Sequence, residues 1–383
     1  MNNILYIGAH PTTWLVRESH GKLDSLYRDS QALIDGFKSL KGINIKVITS
    51  PDIASFPKNK PFFKSYYDDT DETLAVSSLN IVGLKQFWTA ISMSHAARKI
   101  IRSNNEKTTV IIPYMVFRHV LAASIVKLIC GKQVQVCIVI PDVFFPQTYF
   151  SKVINKVTEF LSCKFDFFIL YTEAMAKYLN IEDKKHITME GFHKVNIQPI
   201  TKTTEKFVIT YAGSLNICYG IGRLLDAFKS ISYQDVELHL YGRGDADEMI
   251  KEHAKFDARI KYFGLVPKEQ ATAALFKSTL LINPRNATDG EFVQYSFPSK
   301  DIDYLASGVP CVLCKLPGMP KEYYGHFIDA GDGSAESLAA AIKDAYSMTP
   351  AQREYLAIKA QQFISERMDT KKQAERIIQL INS

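Results

Sequence analysis

Long apolar runs are missing from this chain of 383 residues, because Lys, Asp or Glu interrupts nearly every one. Crossing a bilayer as a helix takes about 20 apolar residues in succession, so a helical membrane span is excluded. Cysteine is scarce, six in all, and Cys130, Cys137, Cys163 and Cys218 stand apart among apolar neighbours, as buried thiols do and disulfide frameworks do not. Only Cys311 and Cys314 are close, in the apolar run GVPCVLC. Positions three apart on a strand point to opposite faces, which favours packing over a redox or zinc motif. The chain also lacks an HExxH pair, a paired Asp-x-Asp pattern and a P-loop. Excess charge is small: +6 with an isoelectric point near 8.8, and it is spread out. That leaves no basic stripe for nucleic acid, while an anionic small substrate or membrane surface stays open. The start, MNNILYIGAHP, lacks the basic region, apolar segment and cleavage site of a secretory signal. The expectation is a cytoplasmic protein whose first residues belong to the fold.

What is present describes a folded protein, 46% hydrophobic and 22% charged, with a mean hydropathy of −0.07. Disorder as the main state is excluded, and the length suits two domains with cores of their own. Apolar runs rich in β-branched residues alternate with longer amphipathic segments, the pattern of parallel strands joined by helical crossovers. The first half predicts strands at Ile4–Gly8, Ile45–Thr49, Val110–Pro113, Val134–Ile140 and Phe167–Tyr171, with helices over Ser30–Leu40 and Val116–Cys130. Asp183–Pro199 is polar and turn-rich. A new cycle then starts at Phe207–Ala212 and runs through Val236–Tyr241, Ile260–Phe263, Leu280–Asn283 and Cys311–Leu313. The restart predicts two similar domains, at 1–198 and 199–365, followed by a terminal helix at 366–383 that returns to the first. Pro350 to Ser383 reads as two helices broken near Met368-Asp369.

Pro51 to Leu79 reads as one long irregular piece, and such loops tend to be functional. Its Lys58, Lys60 and Lys64 alternate with Phe56, Phe62 and Phe63. Two readings stand: contact with an anionic membrane surface or lipid-linked substrate, or a solvated loop whose aromatics pack on the domain.

The segment richest in chemistry is EFVQYSFPSKDIDYLASGVP, Glu291 to Pro310, between LLINP and CVLC. Ligands of open α/β sheets bind at strand carboxyl ends. Phe297-Pro298-Ser299 leads into a helix from about Lys300 to Ala306, ended by Gly308. Unpaired first-turn amides and the positive end of the helix dipole suit a diphosphate, with Ser299 and Lys300 adding a hydroxyl and a cation. Asp303, one turn in, would offer its carboxylate to sugar hydroxyls.

With these residues the chain resembles the retaining glycosyltransferases of family 4. Tyr211-Ala212-Gly213-Ser214-Leu215, Tyr219-Gly220-Ile221 and Leu224-Leu225-Asp226-Ala227-Phe228 are similar to that family's strand, glycine turn and helix. Leu240-Tyr241-Gly242-Arg243-Gly244 and Phe263-Gly264-Leu265-Val266-Pro267 follow in order, and SFPSKDIDYLASGVP resembles the donor-binding motif of a bacterial polysaccharide-synthesis subgroup. The resemblance covers Phe207 to Tyr324. It implies an α/β fold of two Rossmann-like domains facing a central cleft (GT-B), the first binding acceptor and the second the nucleotide sugar. It also implies metal-independent transfer, with the nucleotide-diphosphate sugar as substrate and no cofactor.

The family motif is Glu, seven residues, then a second Glu. Asp303 stands for the second, the ribose contact, and Tyr295 replaces the first, the contact to the transferred sugar. Glu291 is the candidate substitute, beside Asp289 and Gly290. An Arg and a Lys that touch phosphates in the family are here Ser214 and Tyr219. Positioned cations normally stabilise the departing diphosphate, and Lys300, Arg285 and Arg243 are the candidate replacements. Gly213 and Gly242 suit close approach of backbone to ligand.

On the acceptor side, the strand QVQVCIVI runs into Pro141-Asp142, and Asp142 can take a proton from an attacking hydroxyl or orient it; the competing reading is a helix cap. His10 ends the first strand, after Gly8-Ala9. His119 lies within VFRHVLAASIVKL, where packing competes with acceptor contact, and Glu190-Gly191 marks the passage between domains. The function implied is transfer of a sugar to a glycan or lipid-diphosphate-linked acceptor in capsule, exopolysaccharide or lipopolysaccharide assembly, with peripheral contact to an anionic membrane. Two alternatives are a nucleotide-sugar epimerase of the same fold and a catalytically silent scaffold in a polysaccharide-assembly complex.

Overall fold

A computed structural model describes residues 2–10, 25–50, 53–70, 72–103, 106–144, 148–192 and 206–383. Pro11, Pro51 and positions 193–199 of the expected turn-rich segment lie outside them. The chain divides into two units, one of Met1–Lys194 with Met368–Ser383, the other of Val195–Arg367.

The first unit runs β1 (Asn2–Ile7), α1 (Ser25–Lys38), β2 (Ile43–Thr49), four short strands β3 (Phe62–Phe63), β4 (Tyr66–Asp68), β5 (Thr73–Ala75) and β6 (Ser78–Leu79), then α2 (Leu84–Ser103), β7 (Thr108–Pro113), α3 (Phe117–Cys130), β8 (Val134–Ile140), α4 (Tyr149–Ser162), β9 (Phe167–Leu170), α5 (Ala174–Tyr178) and β10 (Lys185–Thr188). Eight strands pair in the order β10-β9-β8-β7-β1-β2-β5-β4, all parallel except β4, which runs antiparallel to β5. The central strands are apolar on both faces, as helices on both sides require: Leu5, Tyr6, Ile7, Ile111 and Ile138 have no exposed surface. The crossovers through α2, α3 and α4 advance in one direction, so right-handedness puts these helices on one face. The crossover through α1 runs the other way and puts α1 on the opposite face. The direction reverses at β1, between β7 and β2, and a doubly wound sheet binds ligands at such a point.

The second unit contains β11 (Phe207–Ala212), α6 (Ile221–Lys229), β12 (Val236–Tyr241), α7 (Asp247–Phe256), β13 (Ile260–Gly264), α8 (Lys268–Phe276), β14 (Leu280–Ile282), α9 (Ser299–Ala306), β15 (Cys311–Leu313), β16 (Ile328–Asp329), α10 (Ala335–Ser347) and α11 (Pro350–Arg367). Its six strands are all parallel, in the order β13-β12-β11-β14-β15-β16. Numbered within the unit this is 3-2-1-4-5-6, the order of dinucleotide-binding sheets, with the switch point between β11 and β14. The last helix, α12 (Thr370–Asn382), belongs to the first unit. Asp369 caps it, accepting from the Lys372 amide at 2.8 Å. It lies so close to α1 that a Cβ added at Gly36 would come within 2.4 Å of the Thr370 carbonyl.

Three expectations need correcting. Among its described residues, Pro51 to Leu79 is built from β3 to β6, with β5 and β4 extending the main sheet. Asn80 ties the segment together by donating from Nδ2 to the Ala54 and Lys60 carbonyls, each at 3.0 Å. Asp183–Pro199 contains a strand, β10, at the sheet edge. Cys218 is exposed, unlike Cys137, Cys311 and Cys314.

Candidate functional site

At the switch point of the second unit β11 ends in a locked turn. The Tyr211 hydroxyl donates to the Ser214 carbonyl at 2.8 Å, and the Ala212 amide donates to the Tyr304 hydroxyl oxygen at 2.9 Å, fastening α9 to the strand. Lys300, second residue of α9, folds back over this turn with Nζ 3.6 Å from the Tyr211 ring centroid. Burial there lowers its pKa to about 7, with Asp301 opposing the shift and Arg285 adding to it. Asp301 is buried behind it and accepts from Asn283 Nδ2 at 2.7 Å; burial raises its pKa to about 6.

Arg285 follows β14 by three residues. Its guanidinium packs 4.8 Å from the Phe292 ring centroid and 5.7 Å from that of Tyr219. Its Nε and Nη2 are buried without a hydrogen-bond partner. Buried guanidinium nitrogens are ordinarily paired, so this strand end holds two mutually repelling cations and unspent donors. Beside them α9 begins at Ser299, exposed, with Pro298 as a cap whose side chain accepts nothing. The Asp301 amide is spent on the Pro298 carbonyl at 2.9 Å, which leaves those of Ser299 and Lys300 open, as at a helix start without a side-chain cap. Asp303 lies half-buried one turn further on, and Gly308, with φ at 76°, closes the helix as expected.

Other predicted residues fall elsewhere. Arg243 is exposed, its Nε 4.0 Å from Asp247, and Ser214 is exposed in the β11 turn. Gly213 and Gly242, expected where backbone approaches a ligand, lie where two turns pack on each other and on Lys300. With φ at 131°, a Cβ on Gly242 would lie 1.8 Å from the Gly213 carbonyl oxygen, and one on Gly213 would lie within 2.7 Å of Lys300. The Asp289 side chain, in the same loop, is buried in an ion pair with Arg223 of α6 at 2.8 Å, and it also accepts from the Asn286 amide. Nothing in the sequence pattern marked Arg223, which also donates to the Gly333 and Pro284 carbonyls and so holds the loop after β14. Glu291 is exposed and opens the short helical turn Glu291–Tyr295.

In the first unit Asp142 is exposed two residues beyond β8. The capping alternative falls away, because α4 is capped by Thr148, whose hydroxyl accepts from the Ser151 amide at 3.2 Å. Near Asp142 is a cluster the sequence did not reveal. The hydroxyls of Tyr114, after β7, and Tyr171, after β9, both donate to Oδ2 of Asp29 on α1, at 3.3 and 3.0 Å. Burial, then the Asp29 charge, raises both phenol pKa values, and Asp142 adds to this. Tyr114 also has φ at 67°, an uncommon conformation for a bulky residue.

His10 is buried, its amide donating to the Thr49 hydroxyl at 3.1 Å and its Nδ1 unpartnered; burial lowers its pKa to about 4. His119, in the first turn of α3, is buried with both ring nitrogens unpartnered, and burial holds its pKa well down. Neither histidine presents a surface to an acceptor in this conformation. Both are interior groups here, which for His119 is the packing reading. Glu190 is buried as well.

Residues 206–348 match the family model for glycosyl transferases group 1. That match lies wholly within the second unit. The whole chain resembles solved structures: Anabaena Alr3699/HepE in complex with UDP and glucose (16% identity, TM-score 0.64, 100% of each chain covered) and a glycosyltransferase from Rickettsia africae ESF-5 (13%, 0.64, 99% of each). A third is the lipopolysaccharide outer core galactosyltransferase WaaB in its apo form (13%, 0.63, 98% of this chain and 99% of that one). These likenesses establish the fold, GT-B. No curated protein matches the chain.

Proposed function

We propose that the protein is a retaining, metal-independent glycosyltransferase of family 4. It moves a sugar from a nucleoside diphosphate donor to a hydroxyl of a glycan or lipid-diphosphate-linked glycan during synthesis of a cell-surface polysaccharide. The observation that carries the reading is the Arg285 guanidinium, buried with two unpaired nitrogens beside Lys300 and the open start of α9. Two cations and a helix N-terminus converging on one strand end form a site for a diphosphate. The HepE structure holding UDP and glucose, and WaaB acting in the lipopolysaccharide outer core, supply the nucleotide and polysaccharide context.

In this reading Asp303 accepts hydrogen bonds from the ribose hydroxyls, and Glu291 takes hydroxyls of the transferred sugar. As the bond from the anomeric carbon to the diphosphate breaks, Arg285, Lys300 and the α9 amides stabilise the charge gathering on the leaving group. The acceptor oxygen bonds to the anomeric carbon on the face the diphosphate leaves, and Asp142 receives or orients the hydroxyl proton.

Titration calorimetry with UDP, GDP and ADP tests the donor half. One of them should bind, and Arg285→Ala and Asp303→Ala should each weaken it about ten- to a hundred-fold, the usual worth of charge-assisted hydrogen bonds. Absence of binding by any nucleoside diphosphate would favour the scaffold instead. Conversion of a nucleotide sugar without acceptor, into a product still bearing the nucleotide, would favour the epimerase.

A further inference from the structure

Helix α4 is built inside out. Of YFSKVINKVTEFLS, the residues it buries are Thr158 and Ser162, their hydroxyls donating back to the Ile154 and Thr158 carbonyls at 2.7 and 2.8 Å. Its large apolar side chains face water instead. Tyr149 is 85% exposed, Phe150 73% and Phe160 62%, with Val153 and Val157 between them. Residues 149, 153, 157 and 160 follow helical spacing, so these groups form one continuous stripe. Lys152 and Lys156 stand exposed on the same helix, and Lys164 lies over the Phe160 ring at 4.0 Å.

The neighbouring helices extend the surface. Leu128 at the end of α3 is 85% exposed, and with Ile125, Leu161 and Phe165 it lines an apolar groove of 540 Å³. Lys127 and Lys164 form the wall between that groove and a second cavity of 860 Å³ at the amino ends of β7 to β10. Six lysines line the second cavity against two aspartates, one of which, Asp166, is paired with Lys127. On the other side α2 exposes Val82 ahead of it and Phe87, Trp88 and Ile91 on it. Helices α2, α3 and α4 share one face of the sheet, so these apolar side chains stand on one side of the unit with lysines among them.

Soluble monomers seldom gather so many exposed large apolar side chains on one side. Apolar side chains flanked by lysines are complementary to one partner in particular: a bilayer whose acyl chains meet the aromatics and whose anionic headgroups meet the cations. We propose that the outer surface of α2, α3 and α4 docks the first unit on an anionic membrane. α4 would lie in the interface plane, for no helix among the described residues is long and apolar enough to cross. The proposal rests on the exposed face and not on the donor reading. It also moves the expected membrane contact. In the segment of Lys58, Lys60 and Lys64, Phe63 is buried and Phe62 packs edge-on against Trp88 at 6.3 Å, which makes that segment a border of the face and not its centre.

Co-sedimentation of the full chain with vesicles tests this, using phosphatidylcholine alone and phosphatidylcholine mixed with phosphatidylglycerol. Binding should be roughly ten-fold or more stronger to the mixed vesicles and should fall with added salt. The double variants Phe150→Ser/Phe160→Ser and Lys152→Glu/Lys156→Glu should each lose about ten-fold or more of it. All four positions are exposed, so unchanged melting and unchanged nucleoside diphosphate binding verify the fold and keep this result separate from the donor reading. The proposal is overturned if the native chain binds neither vesicle or if both variants bind like the native chain. It is equally overturned if the aromatic variant abolishes self-association in sedimentation velocity while no vesicle is bound, since a second copy would then cover the face.

Discussion

Lys300 couples the candidate site to the solution around it. Its ammonium is taken out of water by the Tyr211 ring and the Gly213 turn, so its pKa falls to about 7, against about 10.4 for a free lysine. A diphosphate placed against it would restore the charged form, and binding at about pH 8 should draw a proton from the buffer. Calorimetry in buffers of differing ionisation enthalpy should read an uptake approaching one proton per nucleotide, absent from Lys300→Met; zero uptake by the native chain would remove Lys300 from the phosphate contacts. The same shift has a sign for stability. A depressed lysine pKa means the unfolded chain holds more protons between the folded value near 7 and the unfolded one. Stability from this residue therefore rises with pH across that window, and Lys300→Met should flatten the rise in thermal melts at about pH 7 and 9.

At the scale of the element, the turns after β11 and β12 pack backbone on backbone. Gly242→Ala would add a Cβ 1.8 Å from the Gly213 carbonyl at φ 131°, a clash plus a strained backbone. The expected cost is roughly 2–4 kcal/mol, seen as a melting midpoint about 5–15 °C lower for the transition of the second unit. A variant melting like the native chain would mean the two turns separate freely. These elements also show what was legible in advance. β8, β11, β12 and β15 fall on the predicted residues: β8, β11 and β15 are nearly continuous buried apolar runs, while in β12 buried Val236, Leu238 and Leu240 alternate with half-buried Glu237 and His239. β3 to β6, two or three residues each, are shorter than any window that measures alternation, so their segment read as a loop. Lys300 and the start of α9 could be picked out because they lie within the motif, and Arg285 because it directly follows the apolar run LLINP. The Arg223–Asp289 pair and the Asp29 carboxylate under two tyrosine hydroxyls were not, since each joins residues far apart in sequence through tertiary packing alone.

For the whole molecule, the proposed reaction is divided between the units: Arg285, Lys300 and Asp303 belong to the second, Asp142 to the first, together with the face proposed to meet the membrane. That division makes donor binding and turnover separable by mutation. Asp142 is exposed after β8 and does not cap α4, so Asp142→Asn removes a charge while keeping the side chain's size, and an unchanged melt checks the fold. If Asp142 handles the acceptor proton, turnover should fall about a hundred-fold or more, the usual worth of a positioned acid or base. Nucleoside diphosphate affinity should stay unchanged. The readout is kcat in a transfer assay alongside calorimetric affinity for the nucleotide in the same preparation. Equal loss of both would place Asp142 in donor binding, and undiminished turnover would end its proposed role, leaving Asp29 with its two tyrosines as the next carboxylate to test.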